Sequence, residues 1–171
     1  MADEYQYSRE ELMRAFVGMH FPERSAREDG LIVEFLQHHI TEFDTFSFSV
    51  RVGTGQAPNP DHLPGVQRQT VRNSQMRIDM LLKRGAQPFI FEVKERANHA
   101  ALGQLQTYGH LYQKAHPDEP APRFGVIART IEPDMVSVFA AAGIPVYLYE
   151  AANSSNGVAG GGTSPVNGPA A

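Results

Sequence analysis

The chain of 171 residues contains no cysteine. This absence excludes a disulfide framework, a cysteine nucleophile, a zinc ribbon and an iron–sulfur cluster. The chain also has no run approaching 18 apolar residues, which excludes a hydrophobic helix long enough to cross a membrane. Its N-terminus is acidic, whereas a secretory signal peptide begins with basic residues. We therefore expect a soluble, cytoplasmic protein with no membrane partner.

The composition is that of an ordinary globular domain, with 42% hydrophobic and 20% charged residues. A chain of about 150 residues buries about 68–70% of its unfolded surface, so it needs no disulfide or structural metal to fold. No internal repeat is present. We predict a helical extension over residues 1–24, a main domain over residues 25–150, and a disordered tail over residues 151–171 that is rich in Gly, Ala and Ser.

Charge is unevenly distributed along the chain, whose net charge is −4. Residues 45–114 carry nine basic and four acidic side chains, a net charge of +5, whereas both flanking segments are net negative. A basic segment between acidic ones predicts a local surface for a polyanion. Ordinary scatter of surface charge is the alternative.

Hydrophobic periodicity predicts the order α, α, β, β, β, α, β, α, β. The first two helices cover residues 8–21 and 25–40, and each begins with a serine followed three residues later by glutamate, a capping box. Residues 53–72 begin with a stretch rich in Gly and Pro and are predicted to form a long, mobile loop. The order implies an α/β (α+β) fold with a mixed sheet: an αβββαβ core with an extra N-terminal helix and a terminal α–β addition.

Two β-type runs, RIDMLL and PFIFEV, form a predicted hairpin around a four-residue loop, residues 84–87. In this register the residue numbers of each pair add up to 171, so Asp79 lies opposite Glu92. One face of the hairpin is then apolar: Ile78, Met80, Leu82, Phe89, Phe91 and Val93. The other face carries Arg77, Asp79, Leu81, Ile90, Glu92 and Lys94.

The two facing carboxylates, Asp79 and Glu92, would repel each other and destabilise a simple hairpin. A divalent cation such as Mg²⁺ removes that repulsion, because it prefers oxygen ligands and keeps positions open for water and a phosphate. Lys94 lies about 7 Å beyond Glu92 on the same face. Two acids and a lysine on one strand face predict phosphodiester hydrolysis. The alternative is a solvent-facing strand pair joined by surface ion pairs.

The segments RIDMLL, IFEVK and GQLQTY, together with the element order, resemble the PD-(D/E)xK nuclease superfamily, whose fold is restriction-endonuclease-like. Residues 77–112 are most similar to the catalytic domain of mismatch-type DNA repair endonucleases. The resemblance covers residues 28–112, about half of the chain. We expect no counterpart of the separate DNA-binding domain of those endonucleases, which leaves mismatch or structure recognition open.

The resemblance implies a role for each matching residue. Asp79, Glu92 and the backbone carbonyl of Val93 would be metal ligands. Lys94 would be the catalytic lysine. Gln104, on the following helix, would help to order the lysine, the water or the DNA backbone.

The superfamily often adds an acid from the helix before the three strands, and two residues compete for that position. Glu28 is the predicted choice, because it lies on the helix face turned toward the sheet, whereas Glu34 falls at the border of that face. Glu28 is also the capping-box partner of Ser25, which is a purely structural interpretation.

Three arginines are candidate nucleic-acid contacts: Arg68 and Arg72 at the end of the predicted loop, and Arg77, which the hairpin register puts opposite Lys94. For Tyr108 and Tyr112 we predict core packing.

The sequence thus predicts a metal-dependent DNA nuclease that uses Mg²⁺, with Mn²⁺ as a substitute. Two alternatives stay open: a catalytically silent adaptor or structural protein in a repair complex or phage particle, and a DNA binder that does not cleave. A homodimer or a protein partner could supply target recognition. Endonuclease or exonuclease action, the preferred DNA form, and a role in repair, defence or phage growth stay open.

Overall fold

The computed structural model describes residues 6–15 and 25–149. Six strands are present: β1 (Gln6–Ser8), β2 (Thr45–Val52), β3 (Met76–Arg84), β4 (Gln87–Ala97), β5 (Arg123–Ile131) and β6 (Val146–Leu148). Five α-helices accompany them: α1 (Arg9–Ala15), α2 (Ala26–His39), α3 (Pro64–Ser74), α4 (His99–Ala115) and α5 (Pro133–Ala141).

All six strands form one mixed sheet in the order β1-β2-β3-β4-β5-β6. The first four strands are antiparallel neighbours, and β4, β5 and β6 run parallel. The parallel pairs are joined by α4 and α5, as parallel strands require a crossover connection. The predicted mixed α/β fold is confirmed, with β1 and α3 as elements that the periodicity did not indicate.

Each face of the sheet is covered by helices. On one face α1 and α2 pack over a cluster of buried residues: Leu12, Leu31, Ile32, Phe35, Leu36, Phe43, Phe46, Phe48, Met80, Leu82, Phe91, Val93, Ile127 and Tyr149. On the other face α4 and α5 pack over a second cluster: Val50, Val52, Ile78, Leu81, Ile90, Ala97, Ala101, Leu105, Tyr108, Tyr112, Val126, Ala128, Met135, Phe139, Ile144 and Val146. The sheet is therefore the middle of three layers.

The hairpin of β3 and β4 has the predicted register, with Met80 opposite Phe91 and Lys83 opposite Pro88. Its loop is shorter than predicted, because Arg84 and Gln87 also pair and leave two residues between them. Gly85 occupies the first loop position with φ +56°. A two-residue hairpin requires positive φ there, which glycine adopts without steric cost.

Residues 53–72 are not one long loop, because α3 occupies the second half of this segment. The helix buries no residue, so it has no apolar stripe that periodicity could reveal. It begins with Pro64 in its first turn and is held at its end, where Ser74 Oγ accepts from Gln56 N at 2.7 Å. Gly55 allows this close approach, since an added Cβ would lie 2.5 Å from the carbonyl oxygen of Val71.

Tyr112 confirms the core interpretation, since it is buried in α4. Its hydroxyl donates to Glu119 Oε2 at 2.8 Å, and Lys83 Nζ lies 2.8 Å from Glu119 Oε1. Burial raises the pKa of Glu119, but the hydrogen bonds from Lys83 and Tyr112 outweigh burial and lower it. This cluster joins α4 to β3 at the hairpin end of the sheet.

Two predictions reach beyond the described residues. The first predicted helix is present as far as α1 extends, and residues 16–21 lie outside the described part, as does the predicted tail over residues 151–171. Within the described residues, none of the helices combines the length and the apolar character that a membrane span needs.

Candidate active site

The candidate site lies where β3 and β4 stop pairing. Their last paired residues are Met80 and Phe91. Beyond that point β3 continues along β2, and β4 continues along β5. The two central strands therefore separate and open a cavity of about 510 Å³. Its lining is almost entirely polar: Glu28, Arg51, Asn73, Gln75, Arg77, Asp79, Glu92, Lys94, Gln104 and Tyr108.

The two predicted carboxylates meet in this cavity. Asp79 immediately precedes Met80, the last residue of β3 that pairs with β4, and its Oδ2 accepts a hydrogen bond from the backbone N–H of Val93 at 2.9 Å. Glu92 is only 1% exposed. The prediction that Asp79 and Glu92 are paired residues is wrong, because the pairing of β3 with β4 ends at Met80 and Phe91. The carboxylate of Asp79 instead bonds to the backbone of β4 at Val93.

The local backbone changes direction at the level of Asp79. In the β2–β3 register Ser49 lies between the pairs Phe48–Met80 and Val50–Ile78, and its φ is +57°, which is uncommon for a residue other than glycine. Phe48 and Met80 pack under α2, whereas the next pair, Val50 and Ile78, packs under α4. The prediction that Ile78 shares a face with Met80 is therefore wrong. The opposite hairpin face is also buried, since Leu81 and Ile90 pack under α4 and α5.

Lys94 compensates the buried charge of Glu92. Its Nζ lies 2.7 Å from Glu92 Oε1, and the two side chains are 29% and 1% exposed. An ionised carboxylate that has been removed from water requires such a partner. The ammonium has three donors, so this contact leaves others that can face the cavity.

The helix α4 contributes Gln104 and Tyr108 to the same cavity. Asn98 caps the helix by accepting from Ala100 N at 3.0 Å, and Gln104 Nε2 donates to the Tyr108 hydroxyl at 3.1 Å. Burial and then the charge of Glu92 raise the pKa of Tyr108 to about 12. Tyr108 is thus a neutral phenol at the cavity as well as part of the core, a second role that its helical spacing did not reveal.

Glu28 is the capping-box partner of Ser25 and also lines the cavity, and its role as a metal ligand stays a prediction. Its Oε2 accepts from Ser25 N at 3.2 Å and lies 3.1 Å from Ser25 Oγ, which forms the capping box of α2. The same residue lines the cavity, whereas Glu34 does not. A helix cap and a cavity wall are compatible here because the N-terminus of α2 lies beside the opening.

The arginines divide into two groups. Arg77 lines the cavity. Its strand-paired residue is Arg51 of β2, because the pairing of β3 with β4 has already ended at Met80. The predicted position of Arg77 opposite Lys94 is therefore wrong. Arg68 and Arg72 lie exposed on α3 and are not among the lining residues.

Sequence reasoning missed three lining residues: Arg51, Asn73 and Gln75. The only signal for Arg51 was its outward position in the alternation of β2. Asn73 and Gln75 carried none, because they lie at the end of the unpredicted helix α3 and in the connection that follows it.

The described residues contain no group of three or more His, Cys, Asp or Glu side chains close enough to hold a metal ion. Asp79 and Glu92 nevertheless fit Mg²⁺, which is commonly bound by one or two carboxylates, with waters and substrate phosphates completing the octahedron. The carbonyl oxygen of Val93 is of the same hard donor type. The metal-binding roles of these residues and of Glu28 stay predictions.

Comparison with protein-family models gives no match, and no curated protein matches. Two solved structures do. A repair endonuclease from Pyrococcus abyssi is 15% identical, with a TM-score of 0.46 over 77% of this chain and 50% of that one. An EndoMS–dsDNA2 complex is 12% identical, with a TM-score of 0.42 over 78% of this chain and 49% of that one. The chain thus spans about half the length of each.

Proposed function

We propose that the protein is a Mg²⁺-dependent DNA nuclease that hydrolyses phosphodiester bonds in the cavity between β3 and β4. One observation carries this proposal: Glu92 is buried, in ion-pair contact with Lys94, in a cavity that also receives Asp79. A buried acid at the end of a strand pairing is costly for folding alone, because an apolar residue would fill the position without desolvating a charge.

The residues divide the chemical work as follows. Asp79 and Glu92 would hold the ion, with the carbonyl oxygen of Val93 and the carboxylate of Glu28 as further oxygen donors. The ion would neutralise the scissile phosphate and acidify a water molecule. Lys94, fixed by its contact with Glu92, donates hydrogen bonds to the attacking water or to the charge that develops on the phosphate.

Gln104 acts with Tyr108. The amide donates one N–H to the phenol, which leaves its second N–H as a further donor. The phenol stays protonated throughout the physiological pH range, since its pKa is about 12, so it is a hydrogen-bond donor and not a base. We assign both residues to positioning of the substrate backbone.

DNA is the substrate that the charges favour. Nine of the 15 lysines and arginines lie in residues 45–114, the segment that supplies most of the cavity, and Arg68 and Arg72 extend the basic surface along α3. A phosphate backbone attracts such a surface regardless of base sequence.

The deciding experiment is a gel assay of linear, circular, branched and single-stranded DNA with Mg²⁺ or Mn²⁺. We expect the wild-type protein to cleave at least one form, and Glu92→Gln and Lys94→Ala to lose cleavage. Lys114→Ala, an exposed lysine in the last turn of α4, is the matched control and should cleave normally. Absence of cleavage by the wild type on every form with either metal would overturn the proposal.

A thermal-unfolding titration tests the metal separately. An ion that binds only the folded protein stabilises it by RT ln(1 + [L]/Kd), about 2.7 kcal/mol at 100 times the dissociation constant. We expect Mg²⁺ to raise the melting temperature of the wild type and to leave that of Glu92→Gln unchanged.

The second candidate function is a DNA binder that does not cleave. One observation favours it: among the described residues no three His, Cys, Asp or Glu side chains lie close enough together to hold a metal ion. If this second function is correct, the protein will bind DNA with salt-sensitive affinity, give no cleavage product, and show no Mg²⁺-dependent change in melting temperature.

A further inference from the structure

One part of the cavity wall carries two arginines. Arg51 of β2 and Arg77 of β3 are a strand pair, and both line the cavity together with Asn73 and Gln75, which lie at the end of α3 and just after it. Asp79, Glu92 and Lys94 line the same cavity. One concave surface thus presents both carboxylates and guanidinium groups.

The two arginines are direct neighbours across the β2–β3 ladder, where Arg51 and Arg77 are paired residues. Two guanidinium groups on adjacent strands of one cavity wall can donate hydrogen bonds to the same anion. Neither side chain is fully exposed. Arg51 NH1 donates to the backbone carbonyl of Arg72, which orients its guanidinium against α3.

A hydrogen bond between the segments on either side of α3 holds this part of the cavity wall in place. Gln75 Nε2 donates to the carbonyl oxygen of Gly53 at 2.7 Å, which joins the chain leaving α3 to the chain leaving β2. The chain that leaves β2 therefore supports the wall that carries Asn73 and Gln75. The charge of Arg77 also reaches across the cavity, since it opposes the rise in the pKa of Tyr108.

Arg77 lies two residues from Asp79 on β3, so the arginine pair and the acids line neighbouring parts of one cavity. Guanidinium groups suit a phosphate because they are planar, permanently charged and able to donate two parallel hydrogen bonds.

We propose that Arg51 and Arg77 form a second phosphate-binding subsite, which holds the backbone phosphate next to the one bound at Asp79 and Glu92. This inference rests on the proposed function, because it takes the acid pair as the position of the scissile phosphate. It assigns to Arg51 a substrate contact, and to α3 the role of the wall that orients it.

The test measures binding of a labelled single-stranded oligonucleotide by fluorescence anisotropy, in EDTA, over a range of salt concentrations. Each phosphate that a protein neutralises on a single strand contributes about 0.7 to the slope of log K against log salt. Arg51→Gln should lower that slope by about this amount and weaken binding by about 10-fold at low salt. Arg51→Lys should restore the slope, because it keeps the charge, and only part of the affinity.

The matched control is Arg123→Gln. Arg123 is an exposed strand residue at the start of β5, outside the cavity, and its loss changes the net charge equally. We expect the control to keep the wild-type slope. Should Arg51→Gln fail to fold, which a thermal-unfolding curve would show, Arg77→Gln makes the same measurement from the other strand. An unchanged slope in the folded variant, or an equal change in the control, overturns the subsite.

This design separates the two proposals, because binding in EDTA requires no cleavage. A lower slope for Arg51→Gln without cleavage in Mg²⁺ would keep the arginine subsite and overturn the nuclease. Cleavage with an unchanged slope would do the reverse. If the wild type cleaves, an uncharged methylphosphonate next to the cleaved bond should strongly reduce the cleavage rate of the wild type and should not reduce that of Arg51→Gln any further. An equal reduction of the cleavage rate in both proteins would overturn the subsite.

Discussion

The contact between Lys94 and Glu92 permits a quantitative prediction about stability. Lys94→Ala leaves the carboxylate of Glu92, which is 1% exposed, without its ammonium partner. Removing one partner of a buried ion pair costs about 3–5 kcal/mol. The lysine side chain is itself 29% exposed, so water can partly replace it, and the lower value of about 3 kcal/mol is expected. For a domain of this size that corresponds to a fall in melting temperature of about 6–12 °C.

The assay is urea unfolding followed by circular dichroism at neutral pH, without metal. The double variant Lys94→Ala/Glu92→Gln removes both charges, so it should recover most of the lost free energy of unfolding. Lys114→Ala, whose lysine is exposed, should stay within about 0.5 kcal/mol of the wild type. A loss below about 1 kcal/mol for Lys94→Ala, or a double variant no more stable than the single one, would refute the claim that Glu92 is a buried charge held by Lys94.

Two further predictions concern packing and pH. Gly109→Ala should destabilise the protein by about 1–3 kcal/mol, because the added Cβ would overlap the ring of Phe124. Gly103→Ala in the same helix is the control: its Cβ meets no atom within 4 Å, so the change should be neutral or stabilising. Thermal unfolding of both variants measures the difference. The pKa of Glu119 is lowered in the folded protein by hydrogen bonds from a lysine of β3 and a tyrosine of α4, although burial acts in the opposite direction. Its contribution to stability is therefore present above its unfolded pKa of about 4.3 and is lost as the pH falls through the folded value. Urea unfolding should show a smaller acid-induced loss of stability for Glu119→Gln, and an unchanged loss would contradict the assignment.

The elements with strong local signals were predictable. The serine and glutamate at the start of α2 and its apolar face together predict the helix. The apolar pattern of the hairpin predicts β3 and β4, with their register correct from the loop as far as Met80 and Phe91. Register follows from sequence because a slip of one residue would turn a whole apolar set toward the wrong layer. Helix α3 was not predictable in this way, because it buries no residue and is held by hydrogen bonds to a distant loop.

The spacing of the two β-type runs was enough to predict Asp79, Glu92 and Lys94 as the candidate site, because residues two apart on a strand share a face. Only the tertiary structure decided that β3 and β4 separate beyond Met80, because that depends on each strand finding a different neighbour in the sheet. Tertiary structure also decided that Arg51 joins the cavity. Side chains from separate segments meet only when the sheet and the helices pack, and no local pattern encodes that meeting.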